Sequence, residues 1–217
     1  MGVCDHAELH SGGARYVHET EELRLVVVCD SCGEELAEIE RIEYCPHARR
    51  FVAHLAELTA FELGLSDSQV AQVRFAALVC GVARDQIGPE ILNKRGQLSP
   101  DEWAEVRRQP ELGAALLNGT SFDDIREWVL CCRERPDGRG YPRGLVGSQI
   151  PLEARILAVT DAYAAMTSDR AYRLARDHED ACHELLRCAG TQFDADSVRA
   201  FLRASARRNR HLESAAA

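Results

Sequence analysis

Apolar residues recur at helical spacing along most of this chain, and this pattern constrains the fold more than any other feature. Phe51, Leu55 and Leu58 lie three or four residues apart, the period at which side chains share one face of a helix. Ser99 and Pro100, followed by two acidic residues, form a typical helix start. A mainly α fold is therefore predicted. Helices resume after a loop rich in Gly and Pro at residues 136–151, at about 152–167, 178–189 and 194–208.

The first 45 residues have a different character. Leu23–Val28 and Leu36–Ile42 are β-prone, and an acidic stretch between Arg15–His18 and the first of these runs fits a hairpin turn. We therefore expect a small β-rich segment at 1–45, a helical domain at 46–210 and a disordered tail at 211–217.

Four cysteine and histidine residues in this β-rich segment have the composition of a zinc site. Cys4 and His6 precede Cys29 and Cys32 by a stretch that reads as a hairpin, and two chain reversals would bring the four together. Thiolate and imidazole ligands in a tetrahedral set suit structural zinc, which would also stabilise a piece too small to build its own core. His10 is an alternative fourth ligand, and the competing interpretation is that the Cys pair merely ends a strand.

Composition limits the partners and the location that we expect. The formal net charge is −9, which disfavours nucleic acid because that binding rests on Lys and Arg meeting phosphates. No apolar run approaches the roughly 20 residues needed to cross a bilayer. The N-terminus lacks the layout of a secretory signal. We therefore expect a cytoplasmic protein that binds neither nucleic acid nor membrane.

The run from Cys131 to Pro142 resembles the signature of the HD-GYP family, metal-dependent phosphodiesterases that hydrolyse cyclic di-GMP. The resemblance covers about residues 43–205. It implies an HD-GYP-type helical bundle with a small N-terminal zinc-ribbon-like piece. Further stretches that carry it are Glu90–Gly96, Trp103–Leu117, Ala154–Arg173 and Gly190–Asp194.

Most of the metal-binding positions implied by the resemblance are changed. Two acidic residues and one histidine match the family, whereas cysteine, glycine or glutamine stands at the other positions. We therefore expect no catalytic residues and no binuclear iron or manganese centre, because those metals favour carboxylate and imidazole ligands. The retained positions are Glu43, His47 and Asp161, and the changed ones are Cys80 and Gly81 at the His-Asp pair, Gln109 at a histidine, and Cys131 and Cys132 at a double histidine.

Two questions about this altered centre stay open from the sequence. Cys80, Cys131 and Cys132, with His47 or Asp161, could form a zinc site, although two adjacent cysteines on a helix point about 100° apart. The other interpretation is that Cys80 and Cys132 are small core residues. A buried Asp161 without metal would need a charged partner, for which we expect Arg84 first and Arg135 second, unless the carboxylate is solvated.

Ligand binding could survive the loss of catalysis. The resemblance places Arg170 and Arg173 in a basic turn that contacts dinucleotide phosphates, and Tyr141 and Arg135 in the loop are further candidates. The first hypothesis is a pseudoenzyme that binds cyclic di-GMP, a related nucleotide, or a signalling protein such as a diguanylate cyclase. One alternative is an active phosphodiesterase or phosphohydrolase with a Cys-containing metal site. Another is a zinc-ribbon adaptor that docks on a protein partner.

Overall fold

The computed structural model describes the backbone of residues 9–10, 14–17, 22–29, 35–42, 46–169 and 174–216, and the side chains of 50–84, 86–169 and 174–208. Helices dominate these residues, which confirms the mainly α prediction. None of the described helices combines the length and the hydrophobicity needed to cross a membrane.

The strands lie in the N-terminal part of the chain. They are β1 (Leu9–His10), β2 (Ala14–Val17), β3 (Glu22–Cys29) and β4 (Glu35–Ile42). β3 pairs antiparallel with each of the other three. The predicted zinc ligands Cys4, His6 and Cys32 lie outside the described residues, as does the side chain of Cys29, so the zinc site stays a prediction.

The helical part begins with two long helices that pack against each other and ends with the longest helix of the chain's described part. Ser66 caps α2 and Ser99 caps α4, each through a capping box in which the residue three positions later returns a hydrogen bond. The helices are α1 (Pro46–Glu62), α2 (Asp67–Asp85), α3 (Pro89–Leu92), α4 (Pro100–Arg107), α5 (Gln109–Ala115), α6 (Asp123–Leu130), α7 (Leu152–Met166), α8 (His178–Arg187) and α9 (Ala195–Ala216).

The last helix extends further than the sequence predicts. α9 continues to Ala216, whereas the sequence analysis ends the domain at residue 210 and expects a disordered tail from 211. Alanine, leucine and glutamate in this stretch are good helix formers, so propensity favours continuation once the helix has begun. The domain boundary at residue 45/46 stays a prediction.

Two hydrophobic clusters hold the helical part together, and α7 contributes to both. Ile156 and Leu157 pack in the first cluster with residues of α1, α2 and α6. Val159 and Tyr163 pack in the second with residues of α1, α8 and α9, including the fully buried Phe201. Full burial of such a side chain contributes about 1.5–3 kcal/mol. The helix that carries Asp161 is therefore anchored on two sides.

Candidate functional site

The loop after α6 is held in shape by its own acidic residues. Glu134 is buried, with 3% of its surface exposed, and its carboxylate accepts hydrogen bonds from the backbone amides of Arg143 at 2.6 Å and Leu145 at 3.0 Å. Asp137 accepts from the guanidinium of Arg135 at 3.0 and 2.6 Å. That hydrogen bonding lowers the pKa of Asp137. Arg135 therefore belongs to the scaffold of the loop.

Gly140 is required where the loop doubles back on itself. A Cβ atom at this position would lie 2.4 Å from the backbone nitrogen of Arg135 and 2.4 Å from the Cα atom of Glu134. Both are backbone atoms, so neither can rotate away as a flexible side chain would. The peptide bond between Tyr141 and Pro142 is cis.

An arginine occupies the centre of the candidate site. The guanidinium of Arg133 donates to the carboxylate of Asp161 at 2.7 Å and to the side-chain oxygen of Gln109 at 3.0 Å. Gln109 is 5% exposed, and its amide nitrogen donates to the carbonyl of Cys80 at 3.2 Å. The negative charge of Asp161 raises the pKa of Arg133 further above its ordinary value. A permanent cation thus links α5, α7 and the end of α6.

Two thiols lie beside this cation. Cys80 and Cys132 are hydrogen-bonded to each other, and this bond together with burial raises the pKa of Cys80. The hydrogen bond from Cys80, with the nearby charge of Arg133, lowers the pKa of Cys132 against the effect of burial. The two thiols therefore form one pair beside the guanidinium of Arg133.

Cys131 lies apart from this centre. It is fully buried, and its thiol donates to Glu127 at 3.5 Å. Burial, with the charge of Glu127, raises its pKa to about 12. The structure therefore brings Cys132 and Arg133 to the centre, rather than the predicted Cys131 and Cys132. The reason is geometric, because consecutive residues at the end of a helix point in different directions.

The predicted residues of the centre and of the ligand site have four different outcomes. Cys80, Gln109, Cys132 and Asp161 meet as the family resemblance implies, and Gly81 lies half-buried next to Cys80 on α2. Arg135, predicted to bind ligand and to be a second partner of Asp161, binds Asp137 instead. Arg84 as a partner of Asp161 stays a prediction. Glu43, Arg170, Arg173 and the side chain of His47 lie outside the described residues.

Arg133 is the central residue that sequence reasoning missed. The sequence signal that could have identified Arg133 is its position directly after Cys132, in a stretch already assigned to the centre. Asp161 is 29% exposed and Arg133 24% exposed, so the carboxylate is neither fully buried nor simply solvated. A partly buried carboxylate favours a positively charged partner. Arg133, which directly follows Cys132 in the sequence, was therefore a candidate on chemical grounds.

Tyr141 lies close enough to Arg133 and Arg107 for both charges to act on its hydroxyl group. Burial raises its pKa, while the charges of Arg133 and Arg107 act in the opposite direction. The guanidinium carbon of Arg107, at the end of α4, lies 5.8 Å from the centre of the Tyr141 ring. The loop therefore presents an aromatic ring that is contacted by a cation from a different element.

A family model described as an HD domain matches residues 31–197. The chain belongs to the HD domain family. This match covers Cys80, Gln109, Arg133 and Asp161. Within the side chains that the structure describes, no group of three or more His, Cys, Asp or Glu residues is placed to hold a metal ion.

Curated relatives of this HD domain are named as phosphodiesterases. A cyclic di-GMP phosphodiesterase response regulator of Xanthomonas campestris is 39% identical over 71% of this chain and 42% of that protein. A cyclic di-GMP phosphodiesterase of Thermotoga maritima is 33% identical over 77% of this chain and 46% of the relative. A 3'3'-cGAMP-specific phosphodiesterase of Vibrio cholerae is 31% identical over 72% of this chain and 30% of that protein. The chain thus spans less than half the length of these relatives.

Solved structures share the fold of this HD domain. An HDG"Y"P protein from Bdellovibrio bacteriovorus matches with a TM-score of 0.60 and 16% identity, over 71% of this chain and 50% of the other. A cyclic GMP-AMP phosphodiesterase of Vibrio cholerae matches with a TM-score of 0.55 and 15% identity, over 73% of this chain and 44% of the other.

Proposed function

We propose that this chain is a signalling module of the HD domain family that binds a cyclic dinucleotide and has lost its phosphodiesterase centre. The observation that carries the proposal is the guanidinium of Arg133, which lies 2.7 Å from Asp161 and 3.0 Å from Gln109. The names of the relatives supply the ligand class, cyclic di-GMP or 3'3'-cGAMP.

Metal-dependent hydrolysis of a phosphodiester needs a metal-bound hydroxide and, in two-metal sites, a second cation on the phosphate oxygens. The described donors around the centre are one carboxylate, one amide and two thiols, with a fixed positive charge among them. Iron and manganese favour carboxylate and imidazole ligands, and a guanidinium at 2.7 Å competes for the same carboxylate. This donor set does not fit two such cations.

Arg133 also accounts for the persistence of Asp161 in a site without metal. A carboxylate left unpaired in a partly buried site is costly. An arginine supplies a positive charge in place of a metal ion, and it also donates a hydrogen bond to the carboxylate. The fold of the centre would then be independent of metal. Structural zinc is proposed only for the N-terminal cysteine and histidine cluster. We further propose a protein partner such as a diguanylate cyclase. The only support for this partner is the proposed role of the chain as a signalling module.

A second candidate function is an active phosphodiesterase with a thiolate-containing metal site. The observation that favours it is the hydrogen-bonded pair of Cys80 and Cys132 in the same centre as Asp161. Thiolates bind zinc well. Against it stands Arg133, whose charge would have to move away before a metal cation could approach Asp161.

Metal content and turnover, measured together, distinguish the two candidates. The full chain is purified without chelator, beside a Cys29→Ser/Cys32→Ser variant that removes the proposed N-terminal zinc. We expect zinc in the wild type only, no iron or manganese in either, and binding of cyclic di-GMP without hydrolysis when manganese or iron is supplied. The Thermotoga maritima relative serves as the positive control for turnover. Metal retained by the variant, together with hydrolysis, would contradict the proposal.

A further inference from the structure

A second arginine, Arg107 at the end of α4, contacts the ring of Tyr141 in the loop. It is exposed, and its guanidinium carbon is 5.8 Å from the Tyr141 ring centre, within the range of about 6 Å at which a cation and an aromatic face attract each other. The Tyr141 ring thus restrains the Arg107 guanidinium next to the loop. Arginine held in this way loses less side-chain freedom when it binds a ligand.

Arg107 differs from the neighbouring arginines in having no acidic partner among the described side chains. Arg108, the next residue, pairs with Glu105 at 3.0 Å. Arg133 pairs with Asp161 and Arg135 with Asp137. The positive charge of Arg107 is therefore available to an anion, in a protein whose overall net charge is −9.

An exposed aromatic residue lies one helical turn before Arg107. Trp103 is on the same face of α4, because residues four apart are neighbours on a helix surface, and 49% of its surface is exposed. Nucleic-acid bases stack on exposed aromatic side chains. A cation restrained by one aromatic ring and preceded by another is an arrangement suited to a phosphate that carries a base.

We propose that Arg107, held by Tyr141 and flanked by Trp103, forms a phosphate-binding subsite for a nucleotide ligand of this HD domain. The guanidinium binds a phosphate oxygen pair in bidentate fashion, and Trp103 stacks on a base attached to that phosphate. This inference rests on the proposed function for the identity of the ligand, but the subsite is defined by its own residues.

The test is calorimetric titration of the full chain with cyclic di-GMP. Arg107→Gln should weaken binding about 10- to 100-fold, the loss expected for a hydrogen-bonded contact to a charged group. The matched control is Arg108→Gln, which removes the adjacent exposed arginine and should leave binding within about 2-fold. Tyr141→Phe, which keeps the ring, should bind as the wild type does, whereas Tyr141→Leu should resemble Arg107→Gln. Circular dichroism confirms that each variant folds.

A second probe separates failure of the subsite from failure of the proposed function. Inorganic pyrophosphate is titrated into the wild type and Arg107→Gln while tryptophan fluorescence is recorded, with Trp103→Phe identifying the signal of Trp103. If pyrophosphate changes that signal in the wild type alone, the subsite is supported even where cyclic di-GMP does not bind, and only the ligand proposal fails. If cyclic di-GMP binds equally to the wild type and Arg107→Gln, the subsite is overturned while the proposed function stands. If neither probe binds, both are overturned.

Discussion

Replacing Arg133 by methionine removes the central cation while it keeps most of the apolar stem of the side chain. A fully buried ion pair that loses one partner costs about 3–5 kcal/mol, and an exposed pair contributes about 0–1 kcal/mol. Arg133 and Asp161 keep 24% and 29% of their side-chain surface exposed, so an intermediate cost of about 2 kcal/mol is expected. The lost hydrogen bond to the nearly buried Gln109 adds about 1 kcal/mol.

The total loss of about 3 kcal/mol should lower the melting temperature by about 6–12 °C in a chain of this size. Urea unfolding at pH 7 gives the free energy of unfolding directly, and combining Arg133→Met with Asp161→Asn in a double-mutant cycle isolates the pairwise energy, expected at about 2 kcal/mol. Arg126→Met is the matched control. That arginine pairs with Asp123 at 3.6 Å with 43% and 85% of the two side chains exposed, so its loss should cost less than about 0.5 kcal/mol.

The reasoning fails if Arg133→Met unfolds within about 0.5 kcal/mol of the wild type, or if the cycle yields a pairwise energy below that value. Either result would mean that Arg133 does not replace a metal cation energetically, and that Asp161 is stabilised by other contacts. The expectation that the centre is independent of metal would then lose its physical basis.

Three further predictions concern the loop, a helix terminus and a thiol. Gly140→Ala should destabilise the protein by at least about 1–3 kcal/mol in urea unfolding, because the new Cβ atom would lie 2.4 Å from backbone atoms. The control is Gly96→Ala, whose Cβ atom would meet no atom within 4 Å. This variant should change the free energy of unfolding by less than about 1 kcal/mol. Burial alone would raise the pKa of Asp194, but hydrogen bonds from Ser197 and Arg155 outweigh it and lower the pKa. The stabilisation from Asp194 is therefore fully present above the ordinary aspartate pKa and is lost as the pH falls through the lowered value. Asp194→Ala should cost about 1–2 kcal/mol at pH 7 and progressively less as the pH falls below the ordinary aspartate pKa. Cys131, buried and with a pKa of about 12, should resist alkylation by iodoacetamide at pH 8 in the native protein, and labelling as fast as in urea would refute its placement.

Sequence reasoning predicted the helical architecture well because its signals are local. The caps at Ser66 and Ser99 are each specified within four residues, and apolar spacing is a property of single helices. The start of α6 lacks such a local signal, because Phe122, which precedes its first residue Asp123, makes no side-chain cap hydrogen bond.

The centre was harder to predict because its contacts are long-range. Arg133 and Asp161 are 28 residues apart, and Arg133 and Gln109 24 apart. The motif resemblance placed Asp161, Gln109, Cys80 and Cys132 together. Only three-dimensional geometry decides which of the consecutive residues from Cys131 to Arg133 face the centre, and these are Cys132 and Arg133. The prediction of Arg135 as a partner of Asp161 considered its charge but not the direction of its side chain, which pairs with Asp137.

The contacts that Glu134, Asp137 and Gly140 make within the loop have a consequence for how such sequences diverge. Glu134 and Asp137 bind backbone and side-chain groups of the loop itself, and Gly140 is required by two backbone atoms of the same loop. None of these contacts involves the donors of the centre. Mutations at the centre can therefore accumulate without altering the loop, and the Gly-Tyr-Pro signature reports the shape of the loop even in a chain where the chemistry beside it has diverged.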